Sequence, residues 1–260
     1  MKTLEKTGGN KFLAFLKRAV RNQIFIPLAA LLILVLFNLI ADPSFFAIKY
    51  APNSAGDMVI SGNIITILDN ASELAILAIG MTLVTSASGG QDISVGATIA
   101  VAGSVVLRVL CGGEVSPAAL HAPIIVAFLA CVVVSMLLGA FNGALVAYFK
   151  IQPMVATLIL FSAARAIGLL LCNNMIVYVR EDSFKIFGGY LGFIPTPIVV
   201  AAVCIIITSL ILKKTALGLY VQSVGINKKA SRIAGIKSER IIFLCYIVCG
   251  LCAGIAGIVA

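Results

Sequence analysis

"GMTLVTSASGGQDISVGATIA", Gly80 to Ala100, is the stretch on which the fold turns. Apolar sequence leads into it and away from it, yet its middle reads Ser88-Gly89-Gly90-Gln91-Asp92-Ile93-Ser94. Gly89-Gly90 ends one helix, because glycine takes the left-handed conformation that a helix stop needs. Asp92 stands directly before Ile93, where its carboxylate can cap the next helix by accepting backbone N–H bonds. Ser94 adds another oxygen in the first turn. The insert is therefore a helix-turn-helix joint. Its depth depends on where the preceding helix begins. A start near Ile64 gives a helix that crosses a bilayer and puts the joint at the surface. A start near Leu74 leaves about 14 residues, too few to cross, and makes the joint a broken helix lining a polar path.

The rest of the chain fits a membrane setting. Of 260 residues, 61% are hydrophobic and 11% charged, with a mean hydropathy of +1.14. Continuous apolar runs of membrane-spanning length recur, without the period-two alternation of a transmembrane barrel. The expected class is an all-α, polytopic transmembrane bundle of about seven spans: Ile24–Ile40, Ile64–Ser86, Ile93–Cys111, Pro123–Phe149, Pro153–Cys172, Ile194–Leu212 and Ile241–Ala260. The first run is long for a signal peptide and more spans follow it, so it reads as an uncleaved first helix.

Lys and Arg placement sets the orientation. The tail before the first span holds Lys2, Lys6, Lys11, Lys17, Arg18 and Arg21; Lys150 follows; the stretch 213–240 holds Lys213, Lys214, Lys228, Lys229, Arg232, Lys237 and Arg240. All fall on one side if the spans alternate, which makes that side cytoplasmic and puts the N-terminus inside. The opposite loops hold Lys49, Arg180 and Lys185 with the acids Asp42, Asp57, Asp69, Glu73, Glu114, Glu181 and Asp182. The expected organisation is a basic cytoplasmic tail over 1–23 and a membrane domain over 24–260 with a cytoplasmic coupling loop at 213–240. This distribution makes the net charge of +9 a topology signal, and no nucleic-acid partner is expected.

A few residues stand out against the apolar background. Arg165 sits roughly 20 Å into its span at 1.5 Å per residue, where a central arginine costs at least ~2.5–3.5 kcal/mol on insertion scales. It either snorkels to the outer interface or lines a polar path. Gln91, Asp92, Ser94, Asn142 and Ser162 are further candidates for that path. Gly139/Gly143 and Gly250/Gly254 are GxxxG spacings that read as packing seams. Seven cysteines lie in or at the ends of apolar runs. Cys245, Cys249 and Cys252 share a helical face and read as small packing residues. No metal-ligand cluster, metal or cofactor is expected.

The stretch "LGLYVQSVGINKKASRIAGIKSERII" is too short for a domain and too patterned for a plain linker. Asn227 is an N-cap candidate and Gly235 a stop, leaving about two turns between them. Ala230, Ile233 and Ala234 share a small apolar face, with Lys228, Lys229 and Arg232 supplying charge. Ser238 then caps the final span. The stretch is either a docking knob for a cytoplasmic partner or a positive-inside loop with incidental helix.

The run Gly80–Gly96, "KIQPMVATLIL" (Lys150–Leu160), Pro195-Thr196-Pro197 and "KKTALGLYVQSVGINKKASRIAGI" (Lys213–Ile236) resemble the permease subunits of bacterial ABC sugar importers of the ribose type, galactofuranose permeases among them. The likeness covers most of the chain from about Ile64 onward. It implies transport of a galactofuranose- or ribose-like monosaccharide across the bacterial cytoplasmic membrane. It also implies a second permease subunit, an extracytoplasmic sugar-binding protein and a cytoplasmic ATPase. The segment with Gly225, Asn227, Ala230, Ile233, Ala234 and Gly235 matches the place where such permeases dock on the ATPase. Gly89 to Gly96 matches the family's Gly-Gly-x-Asp-hydrophobic-Ser-Val-Gly signature, with Gln91 in place of the usual apolar residue. Family members continue for several more helices, so the chain reads as C-terminally truncated.

Other classes fit less well. A nucleoside or amino-acid permease of the same superfamily is the nearest alternative. An ion-coupled transporter needs acids within the spans, and only Asp92 qualifies, with a capping role of its own. A membrane enzyme needs a nucleophile–base pair, HExxH or paired carboxylates, and none is found. No Walker motif is present, so ATP hydrolysis belongs to another chain.

Overall fold

The structure, a computed structural model, describes residues 25–52, 58–117, 119–179, 184 and 187–260. The basic tail, Ile24, Asp57 and the outer-loop charges Arg180, Glu181, Asp182 and Lys185 lie outside the described residues. The chain divides into two compact units, residues 1–49 with 61–64, and residues 50–60 with 65–260.

In the first unit, helix α1 (Phe25–Ala41) is apolar along its whole length and has no buried residue. Short strands β1 (Lys49–Pro52) and β2 (Met58–Ser61), which pair with one another, belong chiefly to the second unit. In the second unit, the bundle is built from α2 (Asn63–Ser88), α3 (Val95–Cys111), α4 (Ile124–Ala147) and α5 (Pro153–Leu171). A second two-stranded pair, β3 (Tyr190–Leu191) and β4 (Ile194–Pro195), follows. Then come α6 (Thr196–Lys214), α7 (Ala216–Ile226), α8 (Lys228–Ile233) and α9 (Ser238–Val259).

Five of these helices, α2, α4, α5, α6 and α9, are long and apolar enough to cross a membrane, and α1 and α3 are apolar helices of 17 residues. The architecture is the expected all-α polytopic membrane bundle. The outward face of α4 carries Ile125, Leu129, Val133, Leu137 and Phe141, all exposed. One turn apart, they make a stripe that is costly in water and at home against hydrocarbon.

Small residues set the closest approach. Both GxxxG spacings serve a single seam: a Cβ on Gly139 would fall 3.1 Å from Gly250 Cα, and one on Gly254 3.0 Å from Ser135 Cβ. Thus α4 and α9 meet backbone to backbone, as membrane helices do when dispersion, not the hydrophobic effect, holds them. The cysteines act in the same way. A Cβ on Gly80 of α2 would sit 2.9 Å from Cys249 Cα, and Cys245, Cys249 and Cys252 are all buried and free. On the other side of the bundle, α3 packs Ala97, Val101 and Val105 against Leu160 and Ala164 of α5.

Some expectations are corrected. Helix α2 runs unbroken from Asn63, so Asp69 and Glu73 belong to it and not to an outer loop. Asp92 is therefore not the sole acid among the spans. At 26 residues, α2 is ~39 Å long against a hydrocarbon core of ~30 Å, an excess of ~9 Å or about six residues, which brings Asp69 to the edge of the headgroup region and leaves Glu73 about one turn further in. Ser238 does not cap α9. It is the first residue of that helix, buried, with its hydroxyl donating to Lys228 O at 3.4 Å.

Candidate functional site

The joint between α2 and α3 is the most polar point inside the bundle. Gly89 has φ +75° and its N–H reaches back to Thr85 O at 3.0 Å, closing α2 as the Gly-Gly pair predicts. A side chain on Gly90 would run into the ring of Pro153, the first residue of α5. The joint and the start of α5 are therefore in direct contact. Because α2 is continuous, the joint stands at its far end and does not interrupt it.

Asp92 holds the turn that follows. Its Oδ1 accepts the Ser94 backbone N–H at 2.9 Å and the Ser94 hydroxyl at 2.6 Å. These bonds close a turn ahead of the helix, as Asx side chains do two residues on; the N-cap of α3 is Ser94, without a side-chain cap bond, so Asp92 shapes the entry to α3 and does not cap it as the sequence predicts. Ser94 Oγ in turn accepts from Asn142 Nδ2 of α4 at 2.8 Å. The Ile93 N–H donates to Thr157 Oγ1 of α5 at 3.2 Å, and Thr98 Oγ1 donates to Ser94 O at 3.0 Å. Asp92, Ser94, Thr98, Asn142 and Thr157 are all buried. The cluster joins three helices through one carboxylate and two hydroxyls. Such a buried network specifies a packing arrangement, because each misplaced member leaves a polar group unpaired; only Asn142 Oδ1, among the side-chain atoms of this cluster, is buried without a hydrogen-bond partner.

Of the candidate path residues, Asp92, Ser94 and Asn142 are thus brought together, and the others are not. Gln91 is exposed on the joint. Ser162 and Arg165 lie on the outward face of α5, opposite the buried Leu160, Ala164 and Gly168. Arg165 stacks its guanidinium over the Phe161 ring, 5.4 Å from the centroid, and Ser162 Oγ donates to Leu158 O at 3.4 Å.

The second cluster is the loop after α6. Asn227 Oδ1 accepts the Lys229 and Ala230 N–H groups, each at 3.0 Å, so it caps α8 as its position predicts. Gly235 has φ +85°. Its N–H bonds to Arg232 O at 3.1 Å and that of Ile236 to Ser231 O at 2.9 Å, a Schellman stop. The ion pair of Arg232 with Glu239 ties α8 to the first turn of α9. Ala230, Ile233 and Ala234 are exposed, Ile233 at 89% and the neighbouring Ile226 at 86%. Gly225 lies so close to Ser86 O that no side chain would fit.

Sequence reasoning missed α7. This apolar helix of 11 residues was merged into the loop because it is too short to span. Its Val221 and Val224 share a buried cluster with Leu83, Val84 and Ala87 of α2 and with Ile241 and Ile242 of α9. The small-plus-valine spacing of Gly218, Val221, Val224 and Gly225 was the available signal. Among the described residues, no group of three or more His, Cys, Asp or Glu could hold a metal.

Residues 63–260 match the family model described as "Branched-chain amino acid transport system / permease component". Among characterised relatives, the chain is 40% identical over 233 residues to the galactofuranose transporter permease protein YtfT of Escherichia coli (strain K12), covering 89% of this chain and 64% of that one. It is 32% identical over 260 residues to the fructose import permease protein FruF of Bifidobacterium longum, covering 98% and 69%. It is 32% identical over 237 residues to the ribose import permease protein RbsC of Escherichia coli (strain K12), covering 89% and 67%. The chain thus spans about two thirds of the length of these relatives. No solved structure matches it.

Proposed function

Because this chain belongs to the family of permease components of the branched-chain amino acid transport type, we propose that it is the membrane-spanning subunit of an ATP-binding cassette importer. Its cargo is a galactofuranose- or ribose-like monosaccharide, in keeping with the sugar permeases to which it is similar. It lies in the bacterial cytoplasmic membrane with its N-terminus, Lys150 and the loop 213–240 inside. It catalyses no reaction itself. A cytoplasmic ATPase supplies the energy, an extracytoplasmic binding protein delivers the sugar, and a second permease subunit completes the passage. Lipid surrounds the outward faces. Asp92, Ser94 and Asn142 are the polar groups that serve translocation, whereas Ser162 and Arg165, on the outward face of α5, do not line the path.

The observation that carries this reading is α8. A helix of six residues, capped at one end by Asn227 and stopped at the other by Gly235, holds Ala230, Ile233 and Ala234 bare beside Lys228, Lys229 and Arg232. A loop that only connected two spans would have no reason to be capped so fully or to present a large aliphatic side chain to water. The small Ala230 lets a partner's groove approach closely, with Ile233 as the apolar anchor. Replacing Ala230 by Glu leaves the bundle untouched and blocks that approach. The test is co-purification of the ATPase with the wild-type chain and with Ala230→Glu, together with uptake of labelled galactofuranose, ribose and a branched-chain amino acid. Loss of the ATPase and of sugar uptake in the variant is expected. Equal retention of the ATPase refutes the docking role, and uptake of the amino acid in place of the sugars refutes the substrate class.

A further inference from the structure

Beyond where the partner docks lies the question of how its movement enters the membrane. Among the described residues, one hydrogen bond fastens the α8 knob to α2. Lys228, the first residue of α8, donates from Nζ to Ser88 O at 3.1 Å. Ser88 is the last residue of α2, and its carbonyl is one of those left without a partner when a helix ends. A cation at that point also complements the negative end of the helix dipole. One turn earlier, Gly225 abuts Ser86 O. Ser88 itself shapes the joint, since its hydroxyl accepts the Gly90 N–H at 3.1 Å. Gly89 follows with its positive φ, and Gly90 bears on Pro153 of α5. Asp92 and Ser94 then carry the connection to Asn142 of α4.

We propose that Lys228 is the positioning residue through which displacement of the ATPase-docking helix reaches the α2–α3 joint, with Gly225 as the contact that keeps the two in register. The role rests on the docking function proposed above. The Lys228 ammonium holds α8 against the end of α2, so a push on the exposed Ile233 and Ala230 face is delivered at Ser88. From there it passes to the Gly89-Gly90 turn, and so to α5 through Pro153 and to α4 through Asn142. Lys228 is set apart from Lys229 and Arg232 by this bond. Lys229 has no such bond to the membrane helices among the described residues, and Arg232 pairs with Glu239. A lysine serving only the charge bias of the cytoplasmic side would be replaceable by either.

The test compares wild type, Lys228→Met and Lys228→Arg in the full chain, assembled with its partners in lipid nanodiscs. The first readout is amide hydrogen exchange over residues 86–94. Removing a charge-assisted bond to the last carbonyl of α2 should speed exchange there by about three- to tenfold, and Arg should restore protection. The second is the ratio of sugar taken up to ATP hydrolysed. It should fall by a similar factor in Lys228→Met with the ATPase still bound, and recover in Lys228→Arg. Unchanged exchange, or an unchanged ratio, in Lys228→Met overturns the proposal, as does a loss that Arg fails to rescue. If the wild-type chain binds no ATPase, the docking reading fails by itself, and exchange at the joint still decides whether Lys228 holds it.

Discussion

Truncating Asp92 should cost far more than neutralising it. Its Oδ1 alone accepts both the Ser94 N–H and the Ser94 hydroxyl, and both residues are almost wholly enclosed, at 4% and 2% exposure. In Asp92→Ala the two donors lose their acceptor at a place water does not reach. Hydrogen bonds to a charged group contribute about 1.5–3 kcal/mol each, and two that share one oxygen are not additive, so a loss of about 2–4 kcal/mol follows. Asn keeps an acceptor oxygen in the same position. Neutral bonds are roughly half as strong, and the variant no longer buries a charge, which leaves a loss of about 1 kcal/mol. The chain has no tryptophan, so unfolding is best followed with a thiol-reactive fluorogenic dye. Cys111, Cys131, Cys245, Cys249 and Cys252 are buried in the folded bundle and become reactive when it opens. At about 2–4 °C per kcal/mol for a chain of this size, Asp92→Ala should lower the midpoint by roughly 5–10 °C and Asp92→Asn by less than half as much. Equal losses in the two variants would show that the charge matters and not the pair of hydrogen bonds. No loss in Asp92→Ala would show that something else holds the turn.

Arg165→Leu should leave the stability within about 1 kcal/mol of wild type, because only an exposed cation–π contact with Phe161 is lost; its sugar uptake should stay near wild type, and a marked loss would put Arg165 on the translocation path. In a cysteine-free background, an impermeant thiol reagent added from outside should label a cysteine at the exposed Ser116 and not one at Ile233. The reverse pattern would invert the orientation. Ile233 is the better inner probe because Ser231, on the same helix, is buried.

Much of this could be read along the chain because it depends on neighbours in sequence. Hydropathy over a window marks a membrane helix wherever it packs, so the apolar helices of 17 residues or more are predicted to within a few residues of their ends. Asn227, Gly235 and Gly89 act on backbone groups two to four residues away, and caps and stops of that kind are written in local order. Family membership was legible for the same reason, since its motifs are short and contiguous. Contacts between helices are of another kind. Which way a residue points depends on the rotation of its helix against partners far away in sequence. Asn142 thus proves to be the partner of Ser94, whereas Arg165 turns away from the bundle because Ala164 and Gly168 take the α3-facing side of α5. The pairing of the two GxxxG seams, the seat of α7 and the bond from Lys228 to Ser88 O were decided in the same way. Each joins residues between 100 and 140 positions apart or depends on a groove that several helices build together, and no local pattern records which of the possible partners the packed bundle selects.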